Sequence, residues 1–135
     1  MSIRRRELLQ WAAAVPMAAW LGRAAAAPAR SHGVCLWVCD DERLRSLLAA
    51  AGAPRSRVLV LPTDVDAVRF ARECLAAAPQ VIHGALLPGS FLVLAGTAEE
   101  AGLRIVEEGV LASQWQDGQA RISFKMLHRS RLRAV

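Results

Sequence analysis

One stretch constrains the fold more than any other: residues 33–52, GVCLWVCDDERLRSLLAAAG, in which an apolar run breaks into acids and then into a helical pattern. Residues 34–38 are continuously apolar and rich in strand formers, as in a strand covered on both faces. Asp40 is placed to cap the helix that follows. Leu44, Leu47, Leu48 and Ala51 recur at helical spacing, and Gly52 is placed to end the helix. A doubly covered strand with a helix folding back onto it opens an α/β sheet.

The pattern repeats downstream. Residues 57–61 (RVLVL) read as a second strand stopped by Pro62. Thr63 and Asp66 form a capping-box-like pair for a helix running to Ala78, with Ala67, Val68, Ala71, Cys74, Leu75 and Ala78 on one side. A third strand is expected over residues 80–87, then a type II turn at Leu87-Pro88-Gly89-Ser90 and a strand over residues 91–96. Thr97 and Glu100 repeat the capping box for a helix ending at Gly109. Asp117-Gly118 signals a two-residue hairpin that pairs Trp115 with Ala120, Ser113 with Ile122 and Leu111 with Phe124. That register leaves Gln114, Gln116, Gln119, Arg121, Ser123 and Lys125 on a face meeting water or a partner. The expected fold is an α/β sandwich of two or three layers, with a mixed, mostly parallel sheet and a C-terminal antiparallel hairpin.

The chain begins differently. Arg5-Arg6-Glu7-Leu8-Leu9-Gln10 resembles a twin-arginine export signal; an apolar segment (residues 11–21), Arg23 and a run of small residues (24–29) follow it. The apolar segment is shorter than the ~20 residues of a spanning helix and contains Pro16. Residues 1–29 therefore read as a signal peptide cut after Ala27 or Ala29, and residues 30–135 as one exported, periplasmic α/β domain with no stable membrane span after cleavage. The leader also carries much of the charge. Arg4, Arg5, Arg6 and Arg23 against Glu7 give +3 of the chain's +5, so the remainder keeps +2, concentrated in a basic C-terminal tail. No aromatic or Gly-rich recognition pattern accompanies that tail, so no specific nucleic-acid partner is expected.

Three cysteines remain in a compartment that favours disulfides. Cys35 and Cys39 would lie ~13 Å apart along an extended strand, too far to bond to each other, which leaves Cys74 as partner for either, with Cys39–Cys74 a possible disulfide. Their C-x3-C spacing also resembles copper-handling thioredoxin-like proteins. Asp40, Asp41 and Glu42 fall where the first strand ends, the usual place for a site in an open sheet. Acids there either hold a metal ion or act as a base, with His83 as a further ligand or base, or they simply stabilise a helix N-terminus. No triad, phosphate loop, zinc signature or haem motif is legible, and no cofactor is implied.

Two family resemblances bear on function. Residues 33–112 resemble a response-regulator receiver domain: Asp40-Asp41 stand as its acidic pair, PQVIHGALLPG as the strand leading to a Leu-Pro-Gly turn, and Thr97 as its threonine. Gly84 stands in place of the phosphoacceptor Asp, so phosphoryl transfer is not implied. The mature domain also resembles the YfiR-like family of small periplasmic regulators that restrain membrane-bound diguanylate cyclases. The likeness rests on Cys39-Asp40-Asp41, on the apolar residues 91–97, on Gly109-Val110 and on the closing DGQARISFKM with its central Phe124. It implies a regulatory protein without catalytic residues, acting by contact with an inner-membrane or another exported protein; the polar face of the predicted hairpin, with Gln114, Gln116, Arg121 and Lys125, is the expected contact surface. The alternative is a small exported enzyme or metal-handling protein using Asp40, Asp41 and His83.

Overall fold

A computed structural model of the chain describes residues 13–17, 19–21, 34–52, 57–62, 65–112 and 118–132. The strands are β1 (Ala13–Pro16), β2 (Cys35–Cys39), β3 (Val58–Val60), β4 (Val81–Leu86), β5 (Leu103–Ala112) and β6 (Arg121–His128). The helices are α1 (Glu42–Ala50), α2 (Ala67–Ala76), α3 (Pro88–Glu100) and the short α4 (Arg129–Leu132). The strands form one sheet in the order β1-β5-β6-β4-β2-β3. β2, β3 and β4 are parallel, β6 runs antiparallel between β4 and β5, and β1 runs parallel to β5.

The α/β class holds, as three layers. On one face Leu36, Val38, Ile82, Leu86, Ile122, Phe124 and Met126 meet Phe70, Ala71 and Cys74 of α2 and Phe91, Leu94 and Ala98 of α3. On the other, Cys35, Trp37, Cys39, Val81, Ala85 and Leu111 meet Leu44 and Leu48 of α1 together with Trp20. β2 is buried at every residue, as its unbroken apolar run demands. Residues 13–17 and 19–21, read above as part of a leader, lie against the sheet: β1 pairs Ala13 with Gly109 through to Pro16 with Ala112, and Trp20 is 2% exposed.

Several local expectations change. Asp41, not Asp40, caps α1, and Asp66 itself caps α2, which ends at Ala76 and buries Phe70 while Val68 is exposed. Residues 91–96 are helix rather than strand. Pro88 occupies the first turn of α3, and Phe91, Leu94 and Ala98 recur at i, i+3 and i+7 toward the core. Thr97 lies inside this helix, where its hydroxyl donates to the Val93 carbonyl at 2.9 Å. The helix stops instead at Gly102, whose φ of 89° only glycine adopts cheaply, and the segment expected as a third helix is β5.

The terminal strands pair antiparallel as expected but in a register three residues away: Leu111 faces Arg121 and Val110 faces Ile122. Of the Asp117-Gly118 turn that was to set the register, Asp117 lies, with residues 113–116, outside the described residues, and Gly118 has a φ of 68°. An odd shift exchanges the faces of one strand relative to the other. Moreover β6 is an interior strand, so its alternate polar residues Arg121 and Ser123 are buried rather than wet.

Gly84 fits the centre of this sheet for a steric reason. Its register neighbours are Val38 and Phe124, and a Cβ there would come within 2.5 Å of Phe124 Cζ and of Val38 Cγ2, and 2.8 Å from the Val38 carbonyl. The missing side chain admits the Phe124 ring over β4. Gly84→Ala is expected to destabilise the fold by about 1–3 kcal/mol through overpacking, read as a lower urea midpoint at an unchanged slope; an unchanged midpoint would show that β4 and β6 yield freely.

Candidate functional site

The chain passes from β3 across β2 to β4, so the carboxyl ends of β2 and β4 flank a topological switch point, where an open α/β sheet offers its crevice to ligands. Asp40, the residue after β2, sits there. Its Oδ2 accepts the Leu87 N–H at 2.8 Å, just beyond β4, and its Oδ1 accepts the Arg121 Nε–H at 3.0 Å, at the start of β6. Arg121 Nη1 donates to the Gln119 carbonyl at 2.8 Å. The Arg121 and Asp40 side chains are only 4% and 6% exposed.

One carboxylate thus fastens the ends of three adjacent strands. Desolvating two such charges costs several kcal/mol, which their mutual attraction offsets only where the remaining polar atoms are also engaged. Here both carboxylate oxygens and two guanidinium nitrogens have partners. The geometry is that of a structural fastening, with both oxygens taken up by N–H donors.

The acids read together in the sequence divide into separate roles. Asp41 caps α1, its Oδ1 accepting the Arg43 N–H at 2.7 Å. Glu42 is exposed and pairs with Arg45 at 3.7 Å, a contact worth little in water. His83 lies in mid-strand on β4, stacked flat on Trp37 at 4.3 Å between ring centroids, and Trp37 in turn makes a T-shaped contact with Trp20 at 5.3 Å. Asp40, Asp41 and His83 are not brought together, and among the described residues no group of three or more His, Cys, Asp or Glu could hold a metal ion.

The expected contact face is likewise redistributed. Arg121 belongs to the fastening, and Lys125 is half-buried on β6, in register with His83 on one side and Glu107 on the other. Gln114 and Gln116 lie outside the described residues. Exposed apolar groups occur instead on β5, where Ile105 is 42% and Val106 40% exposed. Reading that stretch as helix hid them; the β-branched Ile105-Val106 pair was the available signal.

The cysteines are also rearranged. All three are free and buried, and the Cys39–Cys74 pairing is not formed, because Cys39 faces α1 and Cys74 lies in the core on the opposite face of the sheet. Burial pushes the Cys39 and Cys74 thiols up to about 12 and raises that of Cys35 as well. They are poor nucleophiles and poor metal ligands in this state.

Set beside known proteins, the chain matches no family model, no curated protein and no solved structure.

Two outcomes follow from this geometry. Asp40→Ala, which strands the buried Arg121 charge, is expected to cost about 3–5 kcal/mol, while Asp40→Ala combined with Arg121→Met costs less than the two single changes together; strictly additive unfolding free energies would deny the coupling. The thiols set a pH dependence. Folded Cys39 and Cys74 keep their protons to about 12 whereas the unfolded chain releases them from 9.0, so this contribution is complete below pH 9 and falls as pH rises toward 12. The decline is on the order of 1 kcal/mol per thiol for each pH unit. A Cys39→Ala, Cys74→Ala variant should show a flatter alkaline limb in denaturant titrations, and an identical limb would contradict the assignment.

Proposed function

We propose that this chain is a small exported protein that acts by protein–protein contact, restraining a membrane-bound sensor as YfiR-like regulators restrain a diguanylate cyclase. The observation that carries the reading is the Asp40–Arg121 fastening. At the point of the sheet where chemistry is usually housed, the polar groups are spent on holding strands together. β5 presents apolar side chains to solvent, a surface open to contact by a partner.

The export half of the proposal rests on the Arg5-Arg6 motif, the apolar segment and the small residues after it. No helix among the described residues is long and apolar enough to cross a membrane.

The test is photo-crosslinking of the tagged protein in its native cells, with N-terminal sequencing of the periplasmic fraction. The expected products are a form beginning at residue 28 or 30 and a crosslink to an inner-membrane protein carrying a cytoplasmic cyclase, with cyclic dinucleotide rising several-fold when the gene is deleted. Arg5→Lys with Arg6→Lys should leave the protein in the cytoplasm. Unchanged export in that variant would remove the twin-arginine reading, and unchanged nucleotide levels on deletion would remove the regulatory one.

A further inference from the structure

The segment read as leader occupies a defined slot. Its strand lies along the outer edge of β5, parallel to it, over Gly109 to Ala112, and Met17, Trp20 and Leu21 then cross onto the sheet face beside α1. Trp20 is buried with its ring nearly perpendicular to that of Trp37, which lies flat on His83. The slot therefore has two parts, a backbone edge that accepts a strand and an aromatic floor that accepts a large flat side chain.

The segment fits that slot incompletely. Beside Trp20 a pocket of about 340 Å³, open to solvent, remains, lined by His83, Val106, Glu107, Glu108, Ser123 and Phe124. The Trp20 Nε1–H is buried with no hydrogen-bond partner. Buried donors in permanent core elements are almost always satisfied. An unfilled open pocket and an orphaned donor at one place mark an occupant that fills the slot without being built for it.

We propose that this slot is the protein's docking surface, held shut in the precursor by β1 with Met17, Trp20 and Leu21 and opened by removal of the leader. The partner it fits is an extended segment of a membrane protein's exported part. Such a segment adds to β5 as a strand of small residues and sets an aromatic side chain on Trp37 about four residues after its strand ends, as Trp20 does after Pro16. A longer side chain beside that aromatic supplies volume the leader lacks. The proposal rests on the exported, processed reading above and names the surface which that reading requires.

A full-length chain with a specific protease site replacing residues 24–29 tests this directly. A fluorescent peptide of residues 11–22, WAAAVPMAAWLG, is titrated into the cut and uncut protein. The expected result is no binding to uncut protein, saturable binding after cutting and dilution, and at least ten-fold weaker binding of the Trp20→Ala peptide. In the uncut chain, Trp20→Ala should itself admit the wild-type peptide, and amide exchange over residues 103–112 should quicken on cutting. If the cut protein loses its cooperative unfolding transition, the segment is an integral part of the core and the proposal falls. It falls equally if the cut chain stays folded but neither binds the peptide nor exchanges faster at β5. Both results leave the export reading standing, because that is decided by the N-terminus found in cells. A periplasmic protein that still carries residues 1–27 overturns both.

Discussion

The Asp40–Arg121 pair is the interaction on which the rest of the sheet's order depends. β2, β4 and the antiparallel β6 come from distant parts of the chain, and their common end is fastened by one carboxylate that takes an N–H from the residue after β4 and another from the first residue of β6. Because both groups are buried, neither tolerates the loss of the other. The pair also specifies an arrangement: β6 must enter beside β4 at the register that brings Arg121 to Asp40. Apolar side chains alone would specify this less sharply, since hydrophobic burial has no direction.

With that end closed, the two faces of the sheet have different characters. The face under α2 and α3 is a continuous core in which Gly84 gives up its side chain so that Phe124 can lie across β4 against Phe91. The face under α1 is covered by a shorter helix, whose buried residues are Leu44 and Leu48, and by the N-terminal segment. Its aromatic stack of Trp20, Trp37 and His83 borders a cavity. Function is more readily housed on the second face, where packing is incomplete, than on the first, where any change meets close neighbours.

Local physics made some elements legible and others not. β2 and α1 could be read because burial on both faces demands an unbroken apolar run, and an amphipathic helix demands its period. α3 and β5 were exchanged with their neighbours for an equally physical reason. Phe91 to Gly96 is apolar all round, and a helix packed between another helix and a sheet shows little periodicity, so the stretch is indistinguishable from a buried strand. Thr97 and Glu100 carry a cap pattern, yet the helix had already begun at Pro88 and the threonine satisfied itself by donating to Val93. The candidate site was half visible: the acids at the end of β2 stood out, but their division into a fastener, a cap and a surface charge did not.

By itself the sequence determined what nearest neighbours along the chain can enforce: alternating strands and helices in the first half, an antiparallel return at the end, and acids where β2 stops. Only the tertiary structure decided that β6 lies between β4 and β5, that Arg121 is consequently buried on Asp40, that Cys39 and Cys74 are separated by the sheet, and that the N-terminal segment covers Trp37. The reason is the same in each case. Which strand an interior strand pairs with, and which face a side chain then enters, is set by contacts between residues far apart in sequence, such as Asp40 with Arg121 across eighty-one positions, and no local propensity encodes them.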